Sequence, residues 1–138
     1  MGMLFMPKSL AAALLLILVF LTSACNKVTE PSKNKQEDFS GTLQPGGSQS
    51  WAFTVSNGGE YEVTLIALSP VQNTFLGTGF GQLQSNSACQ PSGFPNNFSQ
   101  LNVPSLGGPI SKGRWCVYVF DPGSLTATES YTVRVSHP

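Results

Sequence analysis

The sequence predicts an all-β protein built as a single antiparallel β-sandwich or jelly roll, and three observations carry that expectation. From Phe39 onward, every apolar pattern repeats every two residues and none repeats every 3.6. The runs are separated by turn-formers: Gln44-Pro-Gly-Gly, Ser69-Pro, Pro91-Ser-Gly, Gly107-Gly-Pro and Asp121-Pro-Gly. Charged residues make up 10% of the 138, against ~25% in an average globular protein. The wet surface must therefore rely on Ser, Thr, Asn and Gln, as exported β-proteins often do. With 7 basic and 7 acidic side chains, the chain has no basic face for nucleic acid.

Residues 1–24 read as an export signal rather than as part of the fold. Lys8 gives a positive start, and Leu10 to Leu21 form an unbroken apolar run of 12 residues. A helix of that length rises ~18 Å, short of the ~30 Å hydrocarbon core of a bilayer. The run therefore suits a signal peptide better than a membrane span. Small residues follow, Thr22, Ser23 and Ala24, and then Cys25. This ending resembles a bacterial lipoprotein signal, in which the Cys becomes the lipidated first residue of the mature chain and ties it to the membrane. The pattern prefers an aliphatic residue three positions before the Cys; Thr22 stands there, with Leu21 one step back. Cleavage after Ala24 by an ordinary signal peptidase is the alternative. Asn26 is not the Asp that in similar lipoproteins of two-membrane bacteria favours inner-membrane retention, so the outer membrane is the expected home in such an organism. Residues 25–38 continue as a polar tether, since after the Cys only Val28 is aliphatic.

The sandwich is expected over residues 39–138. Gln49 to Ser56 puts Trp51, Phe53 and Val55 on one side and Ala52, Thr54 and Ser56 on the other. Asn57-Gly58-Gly59 predicts a hairpin turn, because Asn and Gly tolerate positive φ. Glu60 to Leu68 turns Tyr61, Val63, Leu65 and Ala67 one way, with Ile66 and Leu68 on the opposite face. Gly113 to Phe120 sets Trp115, Val117 and Val119 against Arg114, Cys116, Tyr118 and Phe120. Tyr131, Val133 and Val135 alternate with Thr132, Arg134 and Ser136 in the last strand. Weaker strands are expected at Phe39–Leu43, Thr74–Gln84 and Phe98–Val103. The Thr74–Gln84 strand carries Gly77, Gly79 and Gly81, so one face is nearly bare after Phe75. Either a ligand or another chain approaches the backbone there, or Trp51 or Trp115 from a facing strand fills the strip, which is the plainer reading.

Cys25 belongs to the anchor, which leaves Cys89 and Cys116 as a pair in an exported domain, most simply a disulfide. Chain-entropy arithmetic gives such a bridge about 3–4 kcal/mol. It would hold the long irregular loop Ser85–Phe98 against the Gly113–Phe120 strand. Redox or metal work would need closer spacing or His partners.

Catalytic patterns are sparse. His137 is the single His and the penultimate residue, a place where side chains are usually mobile; a Ser-His-Asp arrangement could formally use Asp121 and any of many Ser residues. No Gly-x-Ser-x-Gly elbow occurs. Glu60 and Glu62 share one strand face and read as solvated. Asp121, before Pro-Gly, is placed to hydrogen-bond its own turn. No enzyme activity, cofactor or metal is expected.

Several segments together resemble the bacterial pre-peptidase C-terminal domain and its stand-alone relatives: Phe39-Ser-Gly-Thr-Leu, Gln49-Ser-Trp-Ala-Phe-Thr-Val, Gly59-Glu-Tyr-Glu-Val-Thr-Leu, Gly113-Arg-Trp-Cys-Val-Tyr-Val-Phe-Asp and Ser130-Tyr-Thr-Val-Arg-Val. The likeness spans about residues 39–138. It implies a non-catalytic jelly-roll sandwich of the kind appended to secreted peptidases and implicated in secretion or in adhesion to extracellular polymers. This chain has an anchor signal where those have a peptidase, and the acidic calcium ligands of the collagen-binding relatives have no counterpart, so no site is carried over.

The functional expectation is a non-catalytic exported lipoprotein, acting as a binding or structural module at the cell envelope and partnered by the membrane, an envelope protein or a polysaccharide. The alternative is a carbohydrate-binding module using exposed aromatics. Trp51 and Trp115 lie on the better alternating faces, which leaves Phe94, Tyr118 and Phe120 as candidate ligand contacts.

Overall fold

The fold, taken from a computed structural model, is described for residues 33–138. The export signal and Cys25 lie outside the described residues. The strands are β1 (Lys35–Leu43), β2 (Ser48–Val55), β3 (Gly59–Ser69), β4 (Leu76–Leu83), β5 (Cys89–Pro91), β6 (Asn96–Ser99), β7 (Pro104–Ile110), β8 (Gly113–Phe120) and β9 (Glu129–His137). They form two antiparallel sheets packed as a sandwich, in the orders β1-β9-β3-β7 and β2-β8-β4, with β5 and β6 both paired to the free side of β4.

Period-two alternation builds the core directly. Phe53 and Val55 of β2 and Trp115, Val117 and Val119 of β8 face Val63 and Leu65 of β3 and Tyr131, Val133 and Val135 of β9, all buried. Each aliphatic or aromatic side chain so placed contributes about 1.5–3 kcal/mol relative to exposure. Polar groups close the two lateral openings between the sheets. On the β1/β2 side, Trp51 Nε1 donates to the Tyr131 hydroxyl (3.0 Å), which donates to Gln49 Oε1 (2.9 Å). On the β4/β7 side, Thr78 Oγ1 shares a hydrogen bond with Ser99 Oγ (2.7 Å) and donates to Ser105 Oγ (2.9 Å), which donates to the Val63 carbonyl (3.0 Å). Buried hydroxyls that bond one another avoid the desolvation penalty that lone ones would carry.

Several local expectations are overturned by long-range pairing. Asn57-Gly58-Gly59 is not a hairpin turn: β2 and β3 belong to different sheets, and none of the three residues has positive φ. Leu68, not Ala67, is buried, because the β3–β9 register shifts between Leu65 and Ala67 and reverses the alternation beyond that point. Gly107-Gly-Pro109 is strand rather than turn. It lies in β7, an outermost strand, where a Pro without an N–H takes no ladder bond from the sheet. β1 begins at Lys35, so the last four residues assigned to the tether pair with β9, in register from Lys35↔His137 to Asp38↔Arg134. The Phe98–Val103 strand is displaced to Asn96–Ser99, and the Ser85–Phe98 loop is not irregular: it contains β5 and the start of β6, laid end to end along β4.

Candidate functional site

Alternation that buries one face of the five-stranded sheet turns the other outward. On β8 the outward residues are Arg114, Cys116, Tyr118 and Phe120, because Trp115, Val117 and Val119 are in the core. The register sets Tyr118 opposite Gly79, Phe120 opposite Gly77 and Cys116 opposite Gly81. A Cβ at Gly79 would overlap the Tyr118 ring, and a Cβ at Gly77 the Phe120 ring. Each ring therefore lies across the neighbouring strand in space that only glycine leaves. The strip is covered by rings of its own sheet, and Trp51 and Trp115, expected to fill it, face the core instead.

Tyr118 and Phe120 are half-buried and stacked, with centroids 6.0 Å apart and planes 30° apart. Burial pushes the Tyr118 hydroxyl above its ordinary pKa, so it stays protonated at neutral pH. Phe75 immediately precedes β4, and its ring meets Phe98 of β6 with centroids 5.1 Å apart. Phe98 is 68% exposed. Around the rings, the outward residues of β2 are Ser48, Ser50, Ala52 and Thr54, all exposed. Phe94, 96% exposed, follows Gly93 at φ 78° in the turn between β5 and β6 and joins no ring pair among the described residues. Of the three expected contacts, Tyr118 and Phe120 come together; Phe94 stands apart on the sheet edge. Phe75 and Phe98 were missed, since their adjacency follows from β6 pairing, which nothing local encodes.

Cys89 and Cys116 are joined, with Cα atoms 5.8 Å apart and the bridge on this same outer face. Cys116 is fully buried. The bridge ties β5 to β8 across β4. The turn between β5 and β6 is held to β4 as well, where the Ser92 N–H donates to the Phe80 carbonyl (2.9 Å). Asn96 fixes the start of β6: its Oδ1 accepts from the Phe98 N–H (2.8 Å) and its Nδ2 donates to the Ser105 carbonyl (3.0 Å).

The residues weighed for catalysis sit elsewhere and apart. His137 is not an exposed terminal side chain. It ends β9 with its ring buried, 5.0 Å from the Phe53 ring and with Nε2 2.9 Å from Glu37 Oε1. Glu37 also accepts from Lys35 Nζ (2.8 Å). Burial raises its pKa, but the hydrogen bonds from Lys35 and His137, with their charges, together hold it below the usual glutamate value. Asp121 stands at the opposite end of the sandwich, beside the β1–β2 turn, so a His137–Asp121 pair does not form. Its Oδ2 accepts from the Gly46 N–H (2.8 Å), and its Oδ1 accepts from the N–H groups of Gly123 (2.8 Å), Ser124 (2.8 Å) and Leu125 (3.1 Å). This is the turn-holding role expected of it. Slight burial raises the Asp121 pKa, and the four backbone donors more than reverse that.

Grooves occur on the opposite, four-stranded sheet. One of about 310 Å³ runs between Asn34, Gln36, Glu60, Glu62, Arg134 and Ser136. Glu62 there accepts from the Thr64 hydroxyl (3.2 Å). Among the described residues no group of three or more His, Cys, Asp or Glu side chains could hold a metal ion. No protein-family model matches the chain, and no curated protein matches it either.

Proposed function

We propose that the chain is an exported lipoprotein, held to the membrane through Cys25, whose sandwich works by non-catalytic surface contact within the cell envelope. The observation that carries this reading is the outer face of the five-stranded sheet. Large rings lie there over glycines, on the face that also carries the disulfide, although each would be more stable fully buried. Ring surface left partly open on a protein with little charge, with Phe98 largely exposed, supports a contact role for this face. Preorganising that surface lowers the entropy cost of binding. The resemblance to pre-peptidase C-terminal domains points the same way, toward adhesion rather than chemistry. In a bacterium with two membranes, Asn26 in place of a retention Asp favours the outer one.

Two measurements test the reading. Cys25→Ser in the full chain is expected to leave the domain folded and to release it from the membrane fraction; quantitative retention in detergent-extractable membranes overturns the anchor. For the contact face, replacing Gln90–Asn97 outright would remove both β5 pairing and the Asn96 bonds, so a lighter variant is needed. Phe94→Ser with Phe98→Ser removes two exposed rings and keeps the backbone. The wild type is expected to capture envelope components that the folded variant loses. Equal recovery of every component by both forms overturns the contact role.

A further inference from the structure

We infer that the outer face of the five-stranded sheet is a stacking platform for a neutral polysaccharide chain, with Tyr118 and Phe120 as its centre and Phe75 and Phe98 as its extension. The inference rests on the surface-contact reading above and names its ligand class.

Ring posture is the first argument. Tyr118 and Phe120 do not stand up from the sheet as knobs. Gly79 and Gly77 let them lean across β4, so each ring lies over a neighbouring strand that has no side chain beneath it and keeps part of its surface open to solvent. An exposed ring face carries the negative side of the aromatic quadrupole, which attracts the slightly positive C–H bonds of a sugar face. It offers nothing to a carboxylate or a phosphate. Successive rings along one strand direction (Tyr118, Phe120, then Phe75 with Phe98) suit a repeating ligand that stacks unit by unit, as bases do on the aromatic platforms of single-strand binders.

Charge and shape remove the competitors. Among the outward residues of β2, β4 and β8, only Arg114 is charged. Nucleic acids and acidic polymers need several Lys or Arg side chains to neutralise their own charge. The grooves of the four-stranded sheet are not lined by Tyr118, Phe120, Phe75 or Phe98. Small molecules are usually taken into concave sites, and the grooves lined by Gln36, Glu62 and Arg134 and by Ser40, Leu68 and Thr132 lie on the other sheet. Hydroxyls do flank the rings: Ser48 opposite Phe120, Ser50 opposite Tyr118, and Thr54 beyond. They supply hydrogen bonds of the kind that sugar hydroxyls return.

The position of the face argues against a lipid surface. The chain enters the sandwich at Lys35, at the His137 end of β9. Phe120 pairs with Ser48, and Leu76 with Ser99, at the opposite end. With Cys25 as the anchor, the platform climbs away from the point where the tether joins.

The test uses the full lipidated chain in a detergent without a sugar headgroup. Binding is measured to suspended cellulose, chitin and starch granules, to soluble dextran by affinity electrophoresis, and to the acidic polymer alginate. The expected result is retention on at least one neutral polymer, insensitive to salt, and little on alginate. Tyr118→Ala with Phe120→Ala is expected to weaken that retention about tenfold or more. Because those rings are half-buried, Phe98→Ser serves as the second variant: its ring is exposed, and a smaller loss at unchanged melting temperature is expected. Binding to none of the neutral polymers overturns the inference, as does binding that both variants leave intact. If ring variants lose envelope components while no neutral polymer is bound, the polysaccharide is wrong and the surface-contact reading stands. If rings matter to neither, both fall. A dimer of the wild type that the ring variants lose would assign the face to a second copy of the chain and overturn the polysaccharide.

Discussion

On the four-stranded sheet, the residues that turn outward are Asp38 and Ser40 of β1, Thr132 and Arg134 of β9, and Glu62 and Thr64 of β3. On the five-stranded sheet they include Tyr118, Phe120 and Cys116 of β8 and the glycines of β4, flanked by Arg114 and by Ser48, Ser50, Ala52 and Thr54 of β2. The first face is occupied with itself. Arg134 donates from Nε and Nη2 to the two carboxylate oxygens of Asp38 (2.7 and 2.8 Å), and the Ser40 and Thr132 hydroxyls share a hydrogen bond of 2.8 Å. Its polar groups are paired across strands, as an ordinary solvated sheet face requires. The second face has rings where water would favour polar groups, and glycines beside them leave the space those rings occupy. The two faces share one alternation and differ in what their side chains are left wanting. That difference points to the five-stranded face as the working one.

The largest break in this comparison should come from the bridge. Cys89→Ala with Cys116→Ala removes the tie between β5 and β8, and is expected to cost about 2–4 kcal/mol in urea unfolding of the full chain. An unchanged midpoint would mean that the edge strands hold without it, and the five-stranded face would need no staple.

A smaller effect should follow from filling the glycine strip. Gly79→Val places a side chain where the Tyr118 ring lies, so the ring must lift. The expected cost is about 1–3 kcal/mol, in the range of overpacking elsewhere, with Tyr118 becoming more reactive to nitration. Gly58→Ala is the control: its Cβ would meet only the Ile110 carbonyl oxygen, at 3.6 Å, and a change within ~0.5 kcal/mol is expected. Equal losses at the two sites would show that the strip is not reserved for rings.

Much of this was readable in the sequence, and what was not has a common cause. The alternations through Trp51, Phe53 and Val55, through Trp115, Val117 and Val119, and through Tyr131, Val133 and Val135 are local and strong, so class and core followed from them. Cys89 and Cys116 were legible by elimination once Cys25 was assigned to the anchor. Ile66 was not legible as the point of a bulge, because the register shift exists only against β9. Asn57-Gly58-Gly59 has the composition of a hairpin, yet the sheet that β3 joins is decided by β9 and β7. His137 looked like a frayed end until Glu37 paired with it from 100 residues away. For the candidate site, Tyr118 and Phe120 were visible on the outward phase of their strand. What the sequence could not say was that Gly79 and Gly77 lie beside them, because cross-strand register is not written in either strand alone.

The smallest effect expected is electrostatic, and it separates the faces by pH. Hydrogen bonding from Arg134 is the main influence on Asp38. With the attraction of the guanidinium charge, it outweighs the upward push of slight burial and holds the carboxyl below its ordinary 3.8. A carboxyl depressed in the folded state stabilises the fold fully above its unfolded pKa and loses that contribution as pH falls through the folded value. The melting temperature of the wild type should therefore fall toward that of Asp38→Asn as pH drops below about 4, and the gap between them should be flat from pH 5 to 7. Because the Arg134 and Asp38 side chains are 38% and 41% exposed, the gap should be small and should shrink in salt. Phe98→Ser, on a face with no ion pair among the described residues, should differ from the wild type by the same amount at pH 3 and at pH 7. A pH-dependent difference at Phe98, or none at Asp38, would mean that the ionic character assigned to one face and denied to the other is misplaced.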